Sequence, residues 1–344
     1  MNLTARQIAR NLLNGEPPPR PLLLPIVFAL GAKVENIPLS GFLNNPTKIV
    51  NASRQMRSHL QADGVACYFD AFLEVEALGA TLQRTSDDEP PRVEWKSTAK
   101  AGELPPGLHS PEEASKNGRI PVAVEVIRRL NALPNRDFLL MASVSGPVAL
   151  AGLLTQTYKC QDKSLEDLPA QALEFASSVA TQVATTFLEA GADAIFIHER
   201  ISVGLTAKIC EEWMSLLSPT INVTRFYEAL PVLQLEGGAN ALESWETIWR
   251  QHWESVLCVP DSVASSSSFA GLLGTQSVPY GPYGVTLPLE FFLPDHPGKE
   301  ERILNFREVV TRTKPAVITT VGDVPFSTDM KYLKRVFAEI PRSH

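Results

Sequence analysis

A short polar triplet ends an apolar run near the middle of the sequence. The run Ala194–Ile197 (AIFI) is followed directly by His198, Glu199 and Arg200. An imidazole beside a carboxylate can move protons or hold a divalent metal ion. If the run is a barrel strand, its carboxyl end lies where α/β barrels do their chemistry. We therefore predict that His198 and Glu199 are acid–base or metal-binding groups. An ordinary solvated strand end with a Glu199–Arg200 ion pair is the alternative.

A second polar pair alternates with leucines further along the chain. Gln234 and Glu236 are interleaved with Leu233 and Leu235, so a strand would direct both polar side chains to the same side. This geometry favours a role for both residues at the carboxyl ends of the strands. Together with an aspartate that ends an earlier apolar run, the predicted catalytic residues are Asp70, His198, Glu199, Gln234 and Glu236.

Two aspartates follow apolar runs and have structural alternatives. Asp70 ends the segment GVACYFD and could simply cap the next helix. Asp323 follows the segment AVITTVG and could form a turn with Pro325. Histidine and carboxylates at strand ends can also bind Zn²⁺ or another divalent ion. The predicted metal ligands are His198, Glu199, Glu236 and Asp323.

An aromatic, proline-rich segment lies in the last third of the chain. It reads VPYGPYG and contains Tyr280 and Tyr283. We predict these two tyrosines as cofactor-binding residues that cover a flat ligand. A structured surface loop is the alternative.

The elements between these residues predict the scaffold. Apolar runs, including Leu22–Leu30, alternate with amphipathic stretches seven or eight times, which is typical of a (β/α)8 barrel. Two separate helices are expected over Ala207–Leu216 and Val223–Ala229. The polar stretch 79–121 begins with a predicted hairpin and forms an excursion on the barrel. We predict a single α/β domain over residues 1–344, a distorted (β/α)8 TIM barrel.

Composition limits the classes of partner. The chain has 344 residues, 44% hydrophobic, with a net charge of −7 and a pI of about 5.5. This acidic balance argues against nucleic acid and anionic membranes as partners. Four dispersed cysteines without CxxC spacing favour buried thiols in a reducing cytoplasm. No signal peptide is recognisable, and no apolar stretch approaches the roughly 18 residues of a membrane span.

Several segments, in order, resemble the uroporphyrinogen decarboxylase superfamily. They are LLNGEPPPRP, GVACYFDAFLEVEALGA, ASVSGPVALAGLL, FLEAGADAIFIHE, ALPVLQLEGGAN and AVITTVGDVPFSTDMKYLKRVFAEI. The resemblance spans nearly the whole chain and implies that superfamily's distorted barrel, with its site at the carboxyl ends of the strands. It implies one of two chemistries: decarboxylation of uroporphyrinogen, or methyl transfer between a corrinoid protein and a small molecule, usually with zinc.

The decarboxylase branch fits this sequence poorly. Its substrate carries eight carboxylates, which arginines bind well. Where the family has two arginines after the first strand, the sequence offers only Lys33. The family's tyrosine and histidine fall near Leu153 and Asp323, whereas its pyrrole-binding aspartate matches Asp70. Lyase activity is therefore the runner-up.

The methyltransferase branch fits better, although its thiolate zinc site is missing. The family's His-x-Cys matches Gln234 and Glu236, and its later Cys matches Gly322. We predict a corrinoid-linked (cobalamin-dependent) methyltransferase for a small, weakly charged substrate, with zinc or another divalent metal and with the corrinoid carried by a partner protein. A non-catalytic or repurposed ligand-binding barrel is the second alternative. A homodimer follows from the resemblance alone.

Overall fold

The apolar runs of the sequence become parallel strands because their residues are buried on both faces of a sheet. The computed structural model describes residues 3–84, 86, 91–95, 102–155, 168–200, 206–236, 248, 254–266, 281–293 and 298–341. Within them the strands are β1 (Leu22–Leu23), β2 (Gly64–Tyr68), β3 (Thr81–Gln83), β4 (Arg92–Glu94), β5 (Leu139–Ser145), β6 (Ala194–Arg200), β7 (Leu230–Glu236), β8 (Val256–Pro260), β9 (Tyr283–Leu287) and β10 (Val317–Thr320).

Eight of these strands form one parallel sheet, in the order β1-β10-β9-β8-β7-β6-β5-β2. The strands β3 and β4 make a separate antiparallel hairpin at the start of the predicted excursion. The sheet curls into a nearly closed barrel, so the predicted α/β fold class, a distorted (β/α)8 TIM barrel, is confirmed.

Helices surround the sheet. They are α1 (Ala5–Leu13), α2 (Gly31–Val34), α3 (Leu39–Phe42), α4 (Pro46–Leu60), α5 (Leu73–Ala77), α6 (Pro111–Ala114), α7 (Ile120–Asn131), α8 (Pro147–Leu154), α9 (Ala170–Ala190), α10 (Ala207–Phe226), α11 (Asp261–Ala264), α12 (Lys299–Thr313) and α13 (Met330–Glu339). A 3₁₀ turn spans Leu289–Phe292. Among the helices described, none is both long and apolar enough to pass through a membrane.

Two of the predicted elements are different in the structure. The run Leu22–Leu30 gives only the short strand β1, because Pro25 has no N–H group for the sheet ladder. The predicted helices Ala207–Leu216 and Val223–Ala229 are one helix, α10, which runs through Pro219. A proline removes one hydrogen bond from a helix. Here the buried face continues on both sides of it, through Leu217 and Ile221.

The start of β6 is fixed at the end of the barrel opposite to the mouth. Gly191 ends α9 with φ +106°, and a Cβ there would lie 2.2 Å from the Nδ2 atom of Asn131. Two residues later, the Asp193 carboxylate accepts the Leu140 N–H at 2.8 Å and pairs with Arg136. These contacts set the register of β6. The last residues of the strand, His198 to Arg200, therefore lie at the mouth of the barrel.

The register aligns the ends of neighbouring strands. Ser145 of β5 pairs with His198 of β6, His198 with Gln234 of β7, and Gln234 with Cys258 of β8. Residues that pair in parallel strands direct their side chains to the same face of the sheet. His198 and Gln234 therefore share one face of the sheet, and Glu199, the next residue of β6, belongs to the other face.

The seam between β1 and β2 is held by a side-chain clasp. Asp63 donates its N–H to the Leu23 carbonyl at 2.9 Å, and its carboxylate accepts the Leu23 N–H at 2.9 Å. The guanidinium group of Arg20 donates two hydrogen bonds to the same carboxylate, at 2.7 and 2.8 Å. The clasp brings β1 beside β2, where the sheet order has its two ends.

Candidate functional site

A cavity of about 720 Å³ opens at the carboxyl ends of the strands. Its wall is mostly apolar and includes the four phenylalanines Phe28, Phe69, Phe72 and Phe326. Cavities of this size and lining are typical of small-molecule sites. Of the predicted catalytic residues, the cavity wall contains Asp70, His198, Glu199 and Gln234, and it also contains the predicted metal ligand Asp323.

His198 meets the cavity through an imidazole in apolar surroundings. Its ring packs edge-on against Phe69, with centroids 5.1 Å apart, and is stacked on Phe196, with centroids 6.4 Å apart. The Nε2 atom is buried and has no hydrogen-bond partner. Burial lowers the pKa of His198 to about 4, because charge is costly in apolar surroundings. His198 is therefore a neutral imidazole at pH 7 with one ring nitrogen unused.

Gln234 is almost fully buried, with 1% of its surface exposed. Its Nε2 donates to the Thr320 carbonyl on β10, and its Oε1 has no hydrogen-bond partner. The carbonyl fixes the amide orientation, because a flipped amide would place two oxygens against each other. Gln234 thus belongs to the cavity wall and keeps one buried acceptor without a hydrogen-bond partner.

Asp70 follows β2 and is tied to two arginines. Its Oδ2 accepts from Arg84 at 2.7 Å and from Arg119 at 2.8 Å, and its Oδ1 accepts the Phe72 N–H at 3.0 Å. Arg119 also pairs with Glu76 at 2.7 Å. The carboxylate is only 4% exposed, so this is a buried ion cluster with both oxygens in use.

The Glu199 side chain accepts hydrogen bonds from the start of helix α8. Its two oxygens accept the N–H groups of Val148 at 3.1 Å and Ala149 at 2.9 Å, and one also accepts from Trp213 at 3.1 Å. A helix start offers unpaired N–H groups and a favourable dipole to a carboxylate. Gly146 makes room for it, since a Cβ there would lie 2.4 Å from Glu199 Oε1. Burial raises the pKa of Glu199 to about 7.

Two more buried carboxyl groups are held by hydrogen bonds at the mouth. Glu74 accepts the Ser145 N–H at 2.8 Å and the Ser145 hydroxyl at 3.1 Å. Asp323 accepts the N–H groups of Phe28 at 2.7 Å and Ala29 at 2.8 Å, which ties the end of β10 to the segment after β1. Burial raises the pKa of each group to about 7.

The predicted metal set is not assembled by the described side chains. Glu199 lies on the opposite face of β6 from His198. The carboxyl oxygens of both Glu199 and Asp323 already accept hydrogen bonds from backbone N–H groups. No group of three or more His, Cys, Asp and Glu side chains in the described part of the chain is placed to hold a metal ion. Glu236 ends β7, and its side chain lies outside the described residues. A metal on His198 and Glu236 stays a prediction.

The two tyrosines predicted to cover a ligand have different outcomes. Tyr280 lies outside the described residues. Tyr283 is the first residue of β9, and its hydroxyl donates to the Thr313 carbonyl at the end of α12. Strand β9 starts at the barrel end opposite to the mouth. The predicted lid therefore does not include Tyr283, which packs at the amino end of the barrel instead.

Sequence reasoning missed several cavity residues. Glu74 and Arg84 line the wall, and Arg119 stands behind Asp70. The segment LEVEALGA carried a signal for Glu74, because a glutamate in a largely apolar stretch has to find buried partners. Arg84 and Arg119 had no local signal, since their partner Asp70 lies far away in the sequence.

Comparisons with known proteins agree with this architecture. The family model described as uroporphyrinogen decarboxylase (URO-D) matches residues 4–221. Among solved structures, a methyltransferase from Methanosarcina mazei matches with a TM-score of 0.74 and 19% identity, covering 98% of this chain and 98% of that chain. At this identity the likeness shows a shared fold. No curated protein matches the chain.

Proposed function

The chain belongs to the uroporphyrinogen decarboxylase family, and from this membership we propose that it is a methyltransferase of that family. The substrate is a small molecule bound in the cavity at the mouth of the barrel. The observation that carries the proposal is the wall of this cavity, which is mostly apolar and contains His198 and Gln234, each with one buried polar atom that has no hydrogen-bond partner.

The cavity is a poor site for the decarboxylase substrate. An eight-fold anion needs several free guanidinium groups. Among the described residues that line the cavity, Arg84 is the single arginine, and it is paired with Asp70. Asp70 itself has both oxygens occupied, so it is not free to bind pyrrole N–H groups.

The likeness to a methyltransferase of the same fold supports the second branch of the family. The methyl group is exchanged with a corrinoid carried by a partner protein, which supplies the methyl-carrying chemistry. In this proposal the chain binds and orients the small substrate. His198 and Gln234 contact its polar group, and the phenylalanines of the wall exclude water from it.

A divalent metal remains part of the proposal as a separate prediction. His198 offers a free Nε2 atom. Glu199 and Asp323 do not fit as ligands while they accept backbone N–H groups. If a metal binds, we expect His198 and Glu236 to hold it.

The direct test is methyl exchange by the purified chain with methylcobalamin and a small thiol as acceptor. We expect demethylation of methylcobalamin that depends on the protein. Replacing His198 with Ala should abolish it, whereas Gln171→Met, on the exposed first turn of α9, should not. Turnover of uroporphyrinogen to coproporphyrinogen without methyl exchange would assign the chain to the decarboxylase branch. Absence of both activities would favour the ligand-binding barrel.

A further inference from the structure

The hairpin of β3 and β4 brings an arginine to the cavity. Arg84 directly follows β3, Pro91 directly precedes β4, and both residues line the cavity wall. The antiparallel register pairs Gln83 with Arg92, so Arg84 and Pro91 stand next to this pair at the same end of the hairpin. The predicted excursion therefore contributes a cationic side chain to the mouth of the barrel.

Arg84 is the most accessible member of the ion cluster that it forms with Asp70 and Arg119. The Arg84 side chain is 24% exposed, whereas the Arg119 side chain is 8% exposed and the Asp70 side chain 4%. Asp70 also has Arg119 as a counterion, at 2.8 Å, so its charge does not depend on Arg84 alone. An anion can therefore approach Arg84 from the cavity without leaving Asp70 unpaired.

The guanidinium group of Arg84 has donors that Asp70 does not use. The contact with Asp70 joins Nη2 to Oδ2 at 2.7 Å. Within the described residues, Nε and Nη1 of Arg84 have no hydrogen-bond partner, and they are not among the buried unpaired atoms, so both remain accessible. A guanidinium group carries five N–H groups in a planar fork that matches a carboxylate. Arg84 can thus donate two N–H groups to a ligand carboxylate and a third to Asp70.

The other charges at the cavity do not oppose a ligand with one carboxylate. Burial raises the pKa values of Glu74, Glu199 and Asp323 to about 7, so these groups are mainly neutral at pH 6. At the rim, Lys33 Nζ lies 4.6 Å from the centroid of the Phe326 ring, and no carboxylate of the described residues pairs with it. An anionic ligand therefore meets little repulsion from these groups at pH 6.

We propose that Arg84 binds the carboxylate of a small substrate whose body is apolar. The carboxylate accepts N–H groups from Arg84, and the apolar body packs against the four phenylalanines of the cavity wall. One guanidinium group suits one carboxylate, whereas the eight carboxylates of uroporphyrinogen would need several. The inference names the substrate class of the cavity, and it rests on the proposed function for the assignment of this ligand as the substrate.

Three ligands separate the charge from the apolar contact by calorimetric titration of the full chain at pH 6. The first, 3-phenylpropanoate, has both a carboxylate and an apolar body. The second, 3-phenylpropanamide, has nearly the same shape without the charge, and the third, acetate, has the charge without the body. We expect 3-phenylpropanoate to bind about tenfold more tightly than the amide, because hydrogen bonds to charged groups are the stronger ones. Acetate should bind at least about tenfold more weakly than 3-phenylpropanoate, because it buries little apolar surface.

Variants show which residue is responsible. In Arg84→Met the preference for the carboxylate over the amide should shrink to about twofold or less, because methionine has no N–H group in its side chain. Arg84→Gln should lose the preference in the same way while it can still donate a hydrogen bond to Asp70, so the test does not depend on the folding of one variant. The matched variant Arg92→Met removes the same charge from an exposed position of the same hairpin and should keep the full preference.

The outcomes that contradict the inference are specific. Equal affinity for the carboxylate and the amide, no binding of 3-phenylpropanoate, or a preference that persists in the Arg84 variants would each overturn it. Binding of acetate as tight as that of 3-phenylpropanoate would overturn the assignment of an apolar body.

The same protein preparations distinguish this inference from the proposed function. Methyl exchange between methylcobalamin and a thiol, without a preference for the carboxylate, would overturn the inference about Arg84 and leave the methyltransferase proposal standing. Binding of the carboxylate through Arg84 without methyl exchange would do the reverse.

Discussion

His198 and Gln234 pair in register on adjacent parallel strands, and each keeps one buried polar atom without a hydrogen-bond partner. A folded chain rarely leaves such atoms unpaired unless something else uses them. Both residues belong to the wall of one cavity, and their two unpaired atoms are a cost to the stability of the barrel.

This relationship predicts that Gln234 can be replaced without a loss of stability. Gln234→Met removes one buried acceptor without a partner and one hydrogen bond to Thr320, two changes of opposite sign and similar size. We expect the free energy of unfolding to change by less than about 1 kcal/mol. Urea denaturation measures it. A loss of several kcal/mol would mean that Gln234 is chiefly a structural residue.

Asp70 should behave in the opposite way. Asp70→Asn removes the charge that two buried or half-buried arginines share, and it leaves Arg119, 8% exposed, with Glu76 as its carboxylate partner. Breaking a buried ion pair costs about 3–5 kcal/mol. The control is Glu125→Gln, which breaks the exposed pair with Arg129 and should cost less than about 1 kcal/mol. Equal losses in the two variants would show that the Asp70 cluster is not buried in solution.

Glu199 is predicted to stabilise helix α8. In Glu199→Ala, the N–H groups of Val148 and Ala149 and the indole of Trp213 lose their common acceptor. Buried donors without partners cost about 1–3 kcal/mol each, so a loss of at least about 2 kcal/mol is expected by urea denaturation. Glu189→Ala, at an exposed position of α9, is the control. Retained stability would contradict the assignment of Glu199 as the acceptor for α8.

The raised pKa of Glu199 predicts how stability depends on pH. Its pKa is about 7 in the folded chain, above the ordinary 4.5. The neutral form is thus favoured by folding, and the stability that it contributes is present below pH 4.5 and lost as the pH rises through 7. The unfolding free energy of the wild type relative to Glu199→Gln should fall over this range by up to about 3 kcal/mol. A constant difference between the two proteins would contradict the raised pKa.

The metal prediction is tested by elemental analysis of the purified chain. The sequence predicts one zinc or other divalent ion per chain, and the structure leaves His198 Nε2 free to bind it. We expect His198→Ala and Glu236→Ala to lower the metal content, and Asp323→Asn to leave it unchanged, because Asp323 is committed to Phe28 and Ala29. Retention of the metal in both alanine variants would place the ligands elsewhere.

The sequence was sufficient for the fold and for the position of the mouth. Apolar runs that end on polar residues located the strand ends, and His198 and Gln234, which follow or end two such runs, lie in the cavity wall. The period of two in a strand carries Glu199 to the other face of β6, a consequence that the sequence prediction did not apply when it grouped Glu199 with His198.

The state of each carboxyl group could not be predicted from the sequence. Whether Asp70, Glu199 or Asp323 is free depends on donors that come from other parts of the chain. Arg119 and Arg84 reach Asp70, and Phe28 lies 295 residues from Asp323. Local patterns contain no information about such pairs. The unpaired Oε1 atom of Gln234 could not be predicted from the sequence either, because the contact that orients its amide comes from Thr320 on β10.

The pairing of the first strand with the last has a consequence for synthesis on the ribosome. Leu22 and Leu23 find their sheet partners in Val317 and Ile318, so β1 emerges first and has no sheet neighbour until almost the whole chain has been made. Pairing between such distant segments is slow to form, and an unpaired apolar segment is prone to aggregation in the meantime. The contacts of Asp63 with Arg20 and with the Leu23 N–H join β1 to β2 early in the chain. They can keep β1 bound to its own chain until β10 has been made.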